Sequence, residues 1–213
     1  MIMFSCTGKL KYYIALLVLG GLAVFGVRYL AATTPKGEDP KIPVVNKILP
    51  AYRLDRIRVW EDPWSDATED GYQPIQALLA VGSGGLFGVG LGSGVQKLGF
   101  MPEPYNDIIF AVICEELGLI GALLLMLGYA IVVIRGMAIA MRAPDFSGAL
   151  MAIGITTMVG IQALINVGVN TNTLPTTGMQ LPLVSYGGTA LVVLLVTLGL
   201  LLNISRCADI EKL

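Results

Sequence analysis

Four long apolar runs organise the chain: residues 12–32, 108–134, 148–169 and 182–204. Each reaches the length of about 20 residues that a helix needs to cross a bilayer. None alternates apolar with polar residues, and all greatly exceed a barrel strand, which disfavours strands. The 33–107 stretch between the first two runs is too polar to span. It divides into a Pro- and Lys-containing lead (33–50), a mixed-charge part (51–71), a mildly apolar helix candidate (72–82) and a glycine-rich run (82–94). Because structureless loops of that length are uncommon, it is expected to fold against the membrane surface. The 72–82 helix is too short to span and suits an interfacial or re-entrant position. The pattern predicts an all-α integral membrane protein with four transmembrane helices and one large structured loop.

Charge changes this picture by orienting it. Lys9 and Lys11 precede the first run, Arg135 and Arg142 lie between the second and third, and Arg206 and Lys212 follow the fourth. Lys and Arg mark the cytoplasmic side in short flanks. Residues 1–11, 135–147 and 205–213 are therefore expected inside, and the 33–107 loop and the uncharged 170–181 turn outside. Segment 14–27 has the length of a signal-peptide core. Arg28 and the absence of a small-x-small cleavage site favour an anchor helix instead, with Arg28 snorkelling to the outer interface.

Composition supports membrane residence: 55% of residues are hydrophobic, only 14% are charged, and mean hydropathy is +0.74. A net charge of −1 provides no basic field for nucleic acid. There is no histidine, which removes Ser-His-Asp and Cys-His catalysis and histidine zinc sites. Cys6, Cys114 and Cys207 lack pairing or metal spacing and read as small apolar residues.

The candidate chemistry is concentrated in a few places. The run GSGGLFGVGLGSG (82–94) lacks the spacing of a phosphate loop, so tight turns and close backbone packing account for it better than anion binding. In MPEPYNDIIFAVICEELG (101–118), Glu103 and Asp107 stand just before an apolar helix, and Glu115 and Glu116 lie two turns inside it. A helix-dipole or capping role would explain Asp107. Carboxylates at membrane depth instead face a cavity or a partner, where one can act as a general base. Lys97, Arg53, Arg56 and Arg58 are the outer cations, either solvated or clamping a pyrophosphate. Ser185 in VSYGG is no nucleophile elbow, because position 183 is Leu. EDPWSDATEDG (61–71) does not have calcium-loop spacing.

Three segments carry a family resemblance: YRLDRIRVWEDPW (52–64), residues 71–121 from GYQPIQ to ELGLIG, and LPTTGMQLPLVSYGGTALVVLLVTLGLLLNISR (174–206). In order and spacing they resemble the SEDS family (FtsW/RodA/SpoVE), and QK, LVSYGG and NISR resemble its division-type, FtsW-like members. The resemblance implies a partial ten-helix fold, with the four spans matching helices seven to ten. It implies a peptidoglycan glycosyltransferase that polymerises lipid II, with Asp107 at the family's essential position as catalytic base. Lys97, Arg53, Arg56, Glu103 and Ser185 would bind substrate, and Glu115 and Glu116 would line a cavity or play a structural part. A divalent cation, Mg or Mn, is implied as cofactor. The implied partners are undecaprenyl-pyrophosphate-linked glycan, membrane lipids, a class B penicillin-binding protein and divisome membrane proteins. The implied place is the bacterial inner membrane at the division septum. The rival expectations are an inactive scaffold for the penicillin-binding protein and a lipid II flippase component. Two departures stand out: Tyr105-Asn106-Asp107-Ile108 replaces the family's H-T-D-F, and Thr177 stands where division-type members often carry Lys. Helices one to six have no counterpart in this chain, so the resemblance leads one to expect that the chain is inactive on its own.

Overall fold

The computed structural model describes residues 10–34, 36, 50–96 and 105–208, with side chains from residue 18 onward. These residues form α1 (Leu10–Thr33), α2 (Ala51–Glu61), a 3-10 turn (Pro63–Asp66), α3 (Tyr72–Ser83), α4 (Ile109–Arg142), α5 (Phe146–Asn170) and α6 (Gly188–Cys207). No strand occurs among the described residues. Helices α4, α5 and α6 are each long and apolar enough to cross a membrane. Helix α1 has 24 residues, and Val18–Thr33 forms an apolar helical stretch within it.

Helices α4 and α5 form the central pair, and small residues allow their close approach. A Cβ on Gly136 would stand 2.1 Å from Thr156 Oγ1, and one on Gly160 would stand 3.0 Å from Val133. Without a hydrophobic drive between helices in lipid, such contacts supply the attraction. Phe110, Ala122, Val159, Ala163 and Leu194 continue the core toward α6. Leu123, Leu124, Ile134 and Val193 point outward, as lipid-facing side chains do.

Helix α4 is broken. Gly118 has φ 67° and ψ −166°, well outside helical values, where the apolar pattern predicts an uninterrupted span. The glycine-rich segment fills the break and takes up the freed backbone groups. The Val89 and Gly90 amides donate to the Glu115 and Glu116 carbonyls at 3.0 Å each. On the far side, the Leu119 amide donates to the Gly85 carbonyl (2.9 Å) and that of Ile120 to the Leu86 carbonyl (3.3 Å). In hydrocarbon each unmet group would cost several kcal/mol. The approach is so close that a Cβ on Gly88 would lie 2.1 Å from the Glu116 carbonyl oxygen. Close packing is therefore what this glycine run accomplishes.

The described part of the polar stretch contains two helices and a 3-10 turn. Residues 51–61, a mixed-charge stretch in the sequence, form helix α2, which buries Leu54 and Val59. Arg58 holds α2 to the end of α1: its Nε donates to the Ala31 carbonyl at 2.8 Å, its Nη2 to the Thr34 carbonyl, and its Nη1 pairs with Asp55 at 2.5 Å. Those carbonyls lie at or beyond the helix end, where no helical amide reaches them. Arg28 pairs with Glu61 at 2.7 Å and lies over the Trp60 ring, so it meets α2 rather than standing alone at an interface. Lys36 pairs with Asp66 at 2.9 Å; that hydrogen bond raises its pKa. Helix α3 buries Ile75, Ala77 and Ala80 and packs on α4.

Two boundaries differ from expectation. Helix α4 runs on to Arg142, so Arg135 is helical and only Ala143–Asp145 separate α4 from α5, with Asp145 capping the Gly148 amide at 2.8 Å. Helix α6 begins at Gly188, because residues 182–187 are held in a turn. Leu183 is left-handed there (φ 65°), and the Tyr129 hydroxyl of α4 donates to the Pro182 carbonyl.

Seating of the glycine-rich segment predicts unequal effects for two Gly→Ala changes. Gly85 (φ +57°) has nothing within 4 Å of its missing Cβ, so Gly85→Ala should cost only the left-handed penalty of about 1–2 kcal/mol. Gly88→Ala adds a backbone collision and should lower the thermal midpoint in detergent far more. Equal midpoints for the two variants would contradict this arrangement.

Candidate functional site

Asp107 lies in the turn that delivers the chain to α4, whose N-cap is Ile108. The turn is stitched to two other segments. Its Asp107 carbonyl accepts hydrogen bonds from Asn166 Nδ2 (3.0 Å) and Asn170 Nδ2 (3.1 Å), both on α5. The Asn106 carbonyl accepts from the Ser185 hydroxyl at 2.7 Å, and the Tyr105 carbonyl from the Tyr186 amide at 2.8 Å. Asn166 also donates to the Met179 carbonyl at 2.7 Å, and Gln162 to that of Gln180 at 3.0 Å. The 171–187 connection is thereby folded over the entrance of α4. Asn172 and Trp60 complete the tie to α2 through a reciprocal pair of side chain-to-carbonyl bonds at 3.2 and 3.0 Å.

These ties enclose a cleft of ≈ 170 Å³ whose polar wall includes Arg56, Asp70, Gln73, Asp107, Asn170 and Thr176. Val59, Ala77 and Ile108 make its apolar side. Gly178 (φ +67°) borders the carboxylate: a Cβ there would sit 3.4 Å from Asp107 Oδ2. Arg56 reaches the Thr176 carbonyl at 3.4 Å. A carboxylate and a guanidinium on one small cleft can respectively take a proton from a hydroxyl and steady an anionic leaving group. Among the described residues no group of three or more Cys, Asp or Glu side chains is placed to hold a metal. Asp70 and Asp107 do offer hard oxygen ligands on one cleft, the donor type Mg and Mn prefer.

Of the residues singled out in the sequence, Asp107 and Arg56 meet at this cleft. Arg53 does not line it: its Nε donates to the Tyr52 hydroxyl at 2.9 Å on an exposed surface. Ser185 is likewise absent from the lining; its oxygen accepts from the Leu181 amide at 2.8 Å while donating to Asn106, a brace between two segments. Lys97 and Glu103 lie outside the described residues. Glu115 and Glu116 sit at the break in α4. Glu115 is 2% exposed, and its Oε1 accepts from the Val95 and Gln96 amides at 2.8 and 3.2 Å. Glu116 Oε1 lies 3.1 Å from where a Gly94 Cβ would be. Asp70, Gln73, Asn166, Asn170 and Thr176 were not singled out. The signal for the asparagines was present: two carboxamides at i, i+4 in an otherwise apolar helix share one face.

The sequence model of the FtsW/RodA/SpoVE family, described as "Cell cycle protein", matches residues 1–210. "Stage V sporulation protein E" of Bacillus subtilis (strain 168) is 49% identical over 155 residues, covering 73% of this chain and 42% of that protein. "Probable peptidoglycan glycosyltransferase FtsW" of Geobacter metallireducens is 48% identical over 154 residues, 72% of this chain and 41% of that one. Its Bacillus subtilis namesake is 41% identical over 204 residues, 95% of this chain and 48% of that one. Among solved structures, a chain of "Structural coordination of polymerization and crosslinking by a peptidoglycan synthase complex" superposes with a TM-score of 0.69. It is 27% identical, and the match covers 96% of this chain and 52% of that one. The chain thus spans about half the length of the relatives it matches. With its apolar helices and a family match along nearly its whole length, this chain belongs to the FtsW/RodA/SpoVE family of multi-pass membrane proteins.

Proposed function

We propose that this chain carries the catalytic segment of a peptidoglycan glycosyltransferase that polymerises lipid II during septal wall synthesis. The observation that carries the reading is that Asp107 and Arg56 line one cleft at the entrance of α4. Two relatives known as probable peptidoglycan glycosyltransferase FtsW support it.

Asp107 takes the proton from the 4-hydroxyl of the acceptor GlcNAc as that oxygen attacks the anomeric carbon of the donor MurNAc. The bond from that carbon to undecaprenyl pyrophosphate breaks, and inversion gives the β-1,4 link. Arg56 steadies the charge that gathers on the departing pyrophosphate. A Mg or Mn ion held by Asp70 and Asp107 would add charge neutralisation when bound. The apolar outer faces of α4–α6 suit a substrate carried on a polyprenyl chain. The place of action is the bacterial inner membrane at the septum, with a class B penicillin-binding protein and divisome membrane proteins as neighbours.

The cleft stands at the opposite end of α5 from Ser147, about 35 Å away at 1.5 Å per residue from Ser147 to Asn170. We place the cleft end outside and the arginine-flanked end in the cytoplasm. In intact spheroplasts lacking the native cysteines, an impermeant thiol reagent should label Ser65→Cys and spare Ser147→Cys. The reverse labelling would overturn the orientation.

The decisive assay is lipid II polymerisation by the purified chain, alone and co-produced with the N-terminal half of a relative. Glycan strands should form only in the second case. Asp107→Asn keeps shape while removing the base and should lower turnover by about 10²–10⁴-fold. Full activity of the Asp107→Asn protein would exclude the catalytic role of Asp107.

A further inference from the structure

Asp107 precedes the N-cap of α4, so its carbonyl lies outside the helical ladder and needs a partner of another kind. Two carboxamides of α5 provide it. Asn166 is 0% exposed and Asn170 2%. Being four residues apart, they stack on one helix face. Asn166 Nδ2 serves two carbonyls from different segments, Asp107 at 3.0 Å and Met179 at 2.7 Å, and so joins the α4 entrance to the 176–181 stretch of the connection. Asn170 Nδ2 adds a bond to the Asp107 carbonyl at 3.1 Å. It also donates to the Asn166 carbonyl at 2.8 Å and to Asn166 Oδ1 at 3.2 Å. The Asn166 carboxamide is turned with Oδ1 toward its neighbour and Nδ2 toward the two loops. Gly178, next to Met179, then lies against the Asp107 carboxylate. Asn170 itself also lines the cleft, and its Oδ1 has no hydrogen-bond partner.

We propose that Asn166 and Asn170 are positioning residues for Asp107, forming a carboxamide clamp that fixes its backbone and so aims its carboxylate into the cleft. This rests on the glycosyltransferase reading of Asp107. Neither asparagine exchanges a proton; both act through the carbonyl they hold. A general base displaced by about 1 Å loses on the order of 10²-fold in rate while substrate binding persists.

Asn166→Leu and Asn170→Leu keep side-chain size and remove the donors. Both should be made, because Asn166 is fully enclosed and its variant is the one more exposed to misfolding. In the form of the enzyme active in the polymerisation assay, each should lower kcat about 10- to 100-fold with KM for lipid II within about threefold. Hydrogen exchange of peptides covering 105–112 and 179–186 should rise, with those covering α2 and α3 unchanged. A KM that rises in step with the loss of kcat/KM, or a wild-type kcat in both variants, would overturn the positioning role. Unchanged exchange at 105–112 would overturn the clamp itself. If the wild-type protein makes no glycan in either form, the glycosyltransferase reading fails on its own account, and the exchange result alone then decides the clamp.

Discussion

A peptide group in hydrocarbon has no water to turn to, and a helix interrupted there exposes donors and acceptors that must be met by protein. The break at Gly118 makes this requirement concrete. Two carbonyls before the break and two amides after it are met by residues 85–90, which are drawn against α4 as a result. The glycine-rich segment is thus a structural part of the helix it fills. Its onward course toward Val95 and Gln96 is secured by Glu115, whose Oε1 receives both of their amides. The same need operates at the end of α1, where Arg58 serves the carbonyls of Ala31 and Thr34. It operates again before α4, where α5 serves Asp107.

Buried polar side chains are consequently few, and those near the cleft are gathered at one end of the bundle. Asn166 and Asn170 lie at the same end of α5 as the loop that covers Asp107. Thr156 is buried farther along α5, against Gly136. Polar groups inside an apolar bundle are costly and tend to mark working parts. Here they build a rigid frame from three separated segments, residues 105–108, 166–170 and 176–186. Helix α2 joins it through Trp60 and Asn172 and brings Arg56 to the cleft.

What could be read in the sequence follows from what apolar patterning encodes. Long apolar runs reveal spans, whereas the carboxylate just before one reads as a helix cap, and only the family resemblance singles out Asp107. Patterning is blind to features set by contact. Helix α2 is polar enough to read as loop, and its two buried residues, Leu54 and Val59, signal only once α1 and the cleft are present. The break at Gly118 is invisible because Leu-Gly-Leu-Ile is as apolar as an intact helix; only the partner segment makes it affordable. Helix α6 starts late because the Pro182 carbonyl and the Ser185 hydroxyl are committed to α4 and Asn106. Asp70, Gln73 and Thr176 come from two distant stretches, and nothing local distinguishes them from surface residues.

The pairing across the α4 break is matched residue by residue on both sides: 85 and 86 with 119 and 120, and 89 and 90 with 115 and 116. Only two residues, Phe87 and Gly88, turn between these two sets. The length of this turn is therefore constrained as tightly as its composition. Inserting or deleting one residue there would move one set of partners out of step with the other and bring a different residue to the narrow place beside the Glu116 carbonyl. Tags, linkers or grafted sequences belong elsewhere on this end of the protein, and the glycine-rich stretch behaves as a fixed-length spacer.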